Sequence, residues 1–213
     1  MAAVTVDGEG GVVSRHSGLP GVTLRPGDHL CACYFGDDER DAILLPWLEA
    51  ALRDGDRAVG VVDSVTPAAV AGRLDPDLDP DGCITGRQLL LCDAAETYLR
   101  GGRFSPDWVA EFWEEQAHSA AADGYELARG VAEMSWLARE PLDRHRLVDH
   151  EAWAQRFAAG SGLVLLSLYD LARLGGGILV DLVRTHPRVL VGGHVLDNPD
   201  PLTPAEFAGA HAW

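Results

Sequence analysis

The chain has 213 residues and carries 17 basic side chains, all of them arginine, against 33 acidic ones, a formal net charge of -16. With no lysine there is no Walker-type P-loop lysine, no Schiff-base lysine and no lysine general base. A surface this acidic repels nucleic acid and anionic lipid, because such binding is driven by basic patches.

Arginine in place of lysine, beside much Ala, Gly, Asp and Val, looks like the codon bias of a GC-rich, actinobacterial-like genome and carries no information on activity. At 47% hydrophobic and 23% charged the chain has an ordinary globular composition. Its length suits one domain. Residues 1–22, dominated by Gly, Ser and Asp with no apolar signal core, read as a disordered leader, and 23–213 as a single domain. The longest nearly apolar run, 162–169, is less than half the ~20 residues a bilayer span needs. Cys31, Cys33, Cys83 and Cys92 form no CxxC pair, so they read as reduced thiols in a cytoplasmic protein.

Along the chain, short apolar runs alternate with helix-period segments. The run 29–35 (His-Leu-Cys-Ala-Cys-Tyr-Phe) predicts a first strand. Asp37 and Asp38 are expected to cap the helix that follows, whose apolar face is Leu44, Leu45, Leu48, Ala51 and Leu52, with Pro46 kinking it or marking its start. Strand 57–63 leads to a short helix opened by Thr66-Pro67. Strand 88–93 precedes a helix capped at Ser105-Pro106 and running to about Ala122. Then come strand 127–134, helix 144–159, strand 162–169, helix 177–185 and strand 188–191. Six strands interleaved with helices predict an α/β fold with a doubly wound, mostly parallel sheet and helices on both faces. Ligands in such sheets bind beyond the carboxyl ends of the strands, which points to Cys33, Tyr34, Asp63, Asp93, Glu96, Glu133, Ser135, Trp136, Tyr169 and Asp170.

His29, Cys31 and Cys33 invite a metal reading, but alternate residues of a strand stand about 6.6 Å apart. One tetrahedral ion takes two such neighbours and never all three. Cys83, Cys92 and His194 show no diagnostic spacing, so no metal is expected. Asp77-Leu-Asp-Pro-Asp-Gly-Cys-Ile84 matches the start of a calcium loop but has Gln88 where the bidentate Glu belongs, and it reads as an acidic surface loop. No catalytic triad signature is present, and Gly175-Gly-Gly177 alone is a weak anion signal. Glu133-Met-Ser-Trp136 stands out: a carboxylate ending a buried strand beside Trp, opposite Tyr169, suits either a ligand contact or a structural carboxylate held by backbone N–H groups.

Gly27-Asp-His-Leu-Cys31 with Tyr34, Glu96-Thr-Tyr-Leu-Arg-Gly-Gly-Arg-Phe104, Glu133-Met-Ser-Trp136 and Arg184-Thr-His-Pro187 occur in this order. Together, over about residues 25–207, they resemble the MEDS domain of methanogens, methylotrophs and the dichloromethane regulator. The resemblance implies a RecA- or KaiC-like core without its Walker A loop, and a sensor of small hydrocarbon derivatives coupled to a regulatory module. It implies a pocket of His29, Cys31, Tyr34, Glu96, Tyr98, Glu133, Trp136 and His186, to which Glu151 and Tyr169 are added. The chain departs from the pattern at His150-Glu151-Ala-Trp153-Ala-Gln155, at Ser167-Leu168 before Tyr169-Asp170, and at Asp200-Pro201.

The leading expectation is a stand-alone sensory domain that binds a small organic ligand, uses no cofactor, and signals to a regulatory protein partner without touching nucleic acid or membrane. A homodimer is left open. The alternative is a small-molecule enzyme with Glu133 as acid/base, His29 or His150 assisting and Cys31 as a nucleophile.

Overall fold

The computed structural model describes residues 14–210. Two short strands, β1 (Arg15–His16) and β2 (Thr23–Leu24), open it, followed by β3 (His29–Tyr34), α1 (Gly36–Arg53), β4 (Arg57–Val62), α2 (Pro67–Ala71) and α3 (Pro80–Thr85). Then come β5 (Leu89–Asp93), α4 (Pro106–Ala122), β6 (Ala128–Glu133), α5 (Arg144–Ser161), β7 (Val164–Asp170) and α6 (Leu171–Leu174). The chain ends with α7 (Gly177–Thr185), β8 (Arg188–Val191), β9 (His194–Asp197) and α8 (Pro204–Ala210).

Seven strands form the main sheet in the order β5-β4-β6-β7-β3-β8-β9. All neighbours run parallel except β9, which turns back antiparallel on β8. A right-twisted strand and a right-handed crossover tie the direction of each connection to the face its helix covers. The connections toward β5 carry α1, α2 and α3, and those toward β8 carry α4, α5 and α7. The two sets pack on opposite faces. On one, Leu44, Trp47 and Leu48 of α1 bury against Leu30, Ala32 and Leu166. On the other, Trp113 of α4, Ala154 of α5 and Leu182 of α7 bury against Cys31, Leu165 and Tyr169. The period-2 pleat therefore sends His29, Cys31 and Cys33 to the α5 face and Leu30, Ala32 and Tyr34 to the α1 face. Gly130 of β6 makes room for the Trp113 ring, since a Cβ there would lie 2.5 Å from it.

All six expected strands are present; α3, in what reads as a surface loop, and α8 were not expected, and neither were three further features. The mostly exposed edge strand β9 and the four-residue α6 are too short or too polar to show periodicity. The third is the hairpin β1–β2, within what reads in sequence as a leader. Residues 14–22 are packed: Ser17, Leu19 and Val22 are buried, and the Ser17 hydroxyl donates to the Val22 carbonyl at 2.8 Å. Gly18, at φ +85°, lets this hairpin lie on α1, because a Cβ would meet the Pro46 carbonyl oxygen at 2.0 Å. Leu19 and Val22 thus anchor the segment by the apolar surface they hide. Residues 1–13 of the expected leader lie outside the described residues.

Asp37 and Asp38 occupy the first turn of α1 rather than its cap; Phe35 holds that position, and its N–H donates to Glu39 at 2.9 Å. Pro46 lies inside α1, which runs through it. The acidic segment 77–84 folds into a 3-10 turn and α3, with the Asp79 carboxylate accepting from the Gly82 N–H at 3.2 Å.

Candidate functional site

At the carboxyl ends of the strands Glu133 is fully buried, and its two oxygens take four hydrogen bonds. Tyr34 at the end of β3 donates at 2.9 Å, the backbone N–H groups of Asp63 and Ser64 donate at 2.8 and 2.9 Å, and the Ser64 hydroxyl donates as well. That fills every lone pair a carboxylate offers. Arg40 donates to Ser64 at 2.7 Å and to Asp37 at 2.8 Å, while Asp63 receives Arg139 and, at 2.9 Å, the Ser135 hydroxyl. The strand ends around Glu133 are therefore closed by the chain's own ion pairs. The acids Asp37, Asp38 and Glu39 in the first turn of α1 oppose any phosphate there. Burial, then the charge and hydrogen bond of Glu133, push the Tyr34 phenol well above its ordinary value.

A second polar centre lies inside the molecule on the α5 face. His29 and Cys31 project from β3, Glu151 from α5, and His186 follows α7; all four are buried. Cys31 Sγ is 2.9 Å from His186 Nε2 and 3.4 Å from Glu151 Oε2. His186 Nε2 is 3.0 Å and His29 Nε2 3.3 Å from the same Glu151 oxygen. One potential ligand atom from each residue falls within 4.8 Å of the others. Outside this ring of donors, Tyr169 of β7 donates to Glu151 Oε1, and Ser167 lies 3.2 Å from His29 Nε2. His186 spans two acceptors, its Nδ1 facing the Leu182 carbonyl at 2.9 Å and its Nε2 facing Glu151.

Burial pushes His29 down to about 4 against the opposing pull of Glu151. Burial alone would raise Glu151, but the hydrogen bond to His186 and the charges of three imidazoles hold its carboxyl well below the usual carboxylate range. Burial drives His29 toward its neutral form, so with that ring uncharged the hydrogen bond to His186, the foremost of the lowering causes, is what keeps Glu151 ionised. The Cys31 thiol is pushed far up by burial and by Glu151, and the Cys33 thiol up to about 12 by the same causes.

The remaining expected residues divide. Tyr98, Trp136 and His150 join Phe104 in a buried aromatic box: Phe104 stacks on Trp136 at 5.0 Å, and the Tyr98 and His150 rings meet edge-on at 6.3 Å. Tyr98 also accepts the Trp113 indole N–H at 2.6 Å. Tyr34 and Glu133 belong to the strand-end network on the other side of the sheet, and Glu96 is exposed, apart from both centres. Gln155, one α5 turn beyond Glu151, was not singled out in the sequence. Its Oε1 and the buried Nδ1 of His29 each lack a hydrogen-bond partner, although the amide is close enough to favour the charged form of the ring.

A cleft of about 220 Å³ reaches this centre from outside between α5, the end of α7 and the segment 201–204. Glu151, Gln155 and His186 line it, with Pro201 and Pro204 opposite. Its cover continues into α8, where Phe207 is buried and its ring meets His145 edge-on at 6.0 Å. A separate hollow of about 380 Å³ at the carboxyl ends of β3 and β8 has Cys33, Ile43 and Leu190 in its walls.

Residues 28–187 match the family model described as MEDS, the methanogen/methylotroph, DcmR sensory domain. No curated protein matches the chain by sequence. Among solved structures, the chain is similar to a KaiC-like protein of the hyperthermophilic archaeon Pyrococcus horikoshii OT3, at 12% identity and a TM-score of 0.58 over 84% of this chain and 80% of that one. It is also similar to the flagellar accessory protein FlaH of Methanocaldococcus jannaschii, at 9% identity and a TM-score of 0.51 over 79% and 75% of the two chains. At these identities the likeness establishes the RecA-like α/β fold. No helix among the described residues is long and apolar enough to cross a membrane.

Proposed function

Because the chain belongs to the MEDS family of sensory domains, we propose that it binds a small organic molecule in the cleft over Glu151 and His186 and passes occupancy to a regulatory protein. The observation that carries this reading is the floor of that cleft. The buried Gln155 Oε1 stands there without a hydrogen-bond partner beside the buried Glu151 carboxylate and His186. Buried polar groups are costly unless paired, so a ligand bearing one donor or acceptor gains there what it could not gain on an apolar wall. The volume of about 220 Å³ suits a molecule smaller than the drug-sized ligands of ~300–1,000 Å³ pockets.

Signalling follows from the cover. A ligand in the cleft touches the segment 201–204, which leads directly into α8 packed on α5. Binding there biases the position of α8 only as far as the ligand's affinity differs between the two positions. The net charge of -16 favours a protein partner over nucleic acid. Tests are thermal-shift and calorimetric titrations with short-chain alcohols, thiols, amines and halides, beside an Ala152→Trp variant that fills the cleft. At least one compound should stabilise the natural chain and leave Ala152→Trp unmoved. No stabilisation at millimolar concentration, or equal stabilisation of both chains, would refute the reading.

A further inference from the structure

We propose that His29, Cys31, Glu151 and His186 are the four ligands of one tetrahedral zinc-class divalent ion. This goes beyond the ligand reading and does not depend on it, because the ion is tested alone. The donor set is two imidazole nitrogens, one thiol sulfur and one carboxylate oxygen, the softer mixture that borderline transition ions prefer over magnesium or calcium. Zinc binds such groups at ~2.0–2.3 Å, which places tetrahedral neighbours about 3.4–3.6 Å apart. Four of the six donor separations are 2.9, 3.0, 3.3 and 3.4 Å and the other two are at most 4.8 Å, so the donors surround a point from which each must shift by less than about an ångström to hold an ion.

Charge agrees with geometry. A divalent cation on one thiolate, one carboxylate and two neutral imidazoles makes a complex with no net charge, the form that burial penalises least. Binding takes the proton from the Cys31 thiol and releases it to solvent as the metal–sulfur bond forms. The surroundings are also those of a ligand shell. With an ion on Nε2, His186 Nδ1–H would donate to the Leu182 carbonyl 2.9 Å away, and Tyr169 holds Glu151 Oε1, leaving Oε2 to bind through one oxygen. The four donors come from β3, α5 and the residue that ends α7. The cleft lined by Glu151 and His186 is the route of entry.

The test is titration of the chelator-treated full chain with Co2+, followed by Zn2+. One equivalent should give the intense visible bands of four-coordinate cobalt and a near-ultraviolet thiolate charge-transfer band, and zinc should bleach both. Cys31→Ser should lose the charge-transfer band, Cys92→Ser should keep it, and His186→Ala should weaken binding at least about tenfold. No stoichiometric binding, a pale six-coordinate spectrum, or a charge-transfer band that survives Cys31→Ser would overturn the proposal. Should those variants fail to fold, zinc-edge X-ray absorption of the natural chain decides. One sulfur near ~2.3 Å with three nitrogen or oxygen neighbours supports the site. A shell with no sulfur, or with more than one, refutes it.

Discussion

Glu133 invites a functional reading from its sequence position, and its surroundings predict a structural one. Replacing it with alanine removes the acceptor for four donors. The hydroxyls of Tyr34 and Ser64 can turn to other partners, but the N–H groups of Asp63 and Ser64 are fixed by the backbone. Leaving those two unpaired costs about 1–3 kcal/mol each. Loss of packing brings Glu133→Ala to about 3–6 kcal/mol. Glu133→Gln keeps the shape: its oxygen can face the two N–H groups while its amide faces the two hydroxyls, which rotate to accept. Only the charge assistance is lost, about 1–2 kcal/mol. Urea denaturation followed by circular dichroism should therefore rank natural, Gln and Ala in that order, with the larger gap between Gln and Ala. An alanine variant within about 1 kcal/mol of the natural chain would refute this account of the strand ends, as would a glutamine variant no better than alanine.

Other outcomes follow from the same bookkeeping. Arg129 is buried on Asp54 and Asp56 and donates to the His16 carbonyl at 2.7 Å, so Arg129→Met leaves the buried Asp56 with only the longer Arg15 ion pair at 3.6 Å. Its expected cost is about 3–5 kcal/mol by denaturant titration, and a near-neutral result would contradict the ion-pair assignment. In the metal-free chain His29, held to about 4 when folded against an ordinary 6.5, takes up its proton on unfolding. Its contribution to stability is thus present above pH 6.5 and lost as pH falls toward 4, by up to about 3 kcal/mol. His29→Gln should flatten the fall in urea midpoint across that window, and an unchanged slope would count against a neutral buried His29. Alkylation of the native chain should label the half-exposed Cys83 and Cys92 first and reach Cys31 and Cys33 only after denaturation. Early modification of Cys31, read by peptide mass spectrometry, would contradict its burial.

The fold was legible where apolar runs were long enough to show a period: all six expected strands lie within a few residues of their predicted bounds, and helix 177–185 matches α7. What escaped was short or stabilised by distant partners, such as the two-residue strands of the hairpin that Leu19 and Val22 hold onto α1. The buried centre was half legible. Strand spacing allows β3 two neighbouring donors, and His29 and Cys31 are such a pair, although the sequence led to the expectation of no metal. The other two stand 120 and 155 residues from Cys31 in sequence, and only the packing of α5 and α7 brings them in. One local signal was available. Leu147, Glu151, Ala154 and Ala158 fall on one helical face, so Glu151 is a carboxylate set in an apolar stripe. The strand-end rule drew attention to Glu133 instead, because in this chain the strand ends near it are filled by Arg40, Asp63 and Arg139.

The claim that the sensing centre lies at Glu151 rather than at Glu133 is tested most directly by one comparison. It is the thermal shift produced by a compound that stabilises the natural chain, measured in Glu151→Gln and Glu133→Gln. The account predicts that the shift disappears in Glu151→Gln and persists in Glu133→Gln, whose melting temperature is lower but whose cleft is unaltered. A shift lost in Glu133→Gln and kept in Glu151→Gln would place the centre at the strand ends and contradict it.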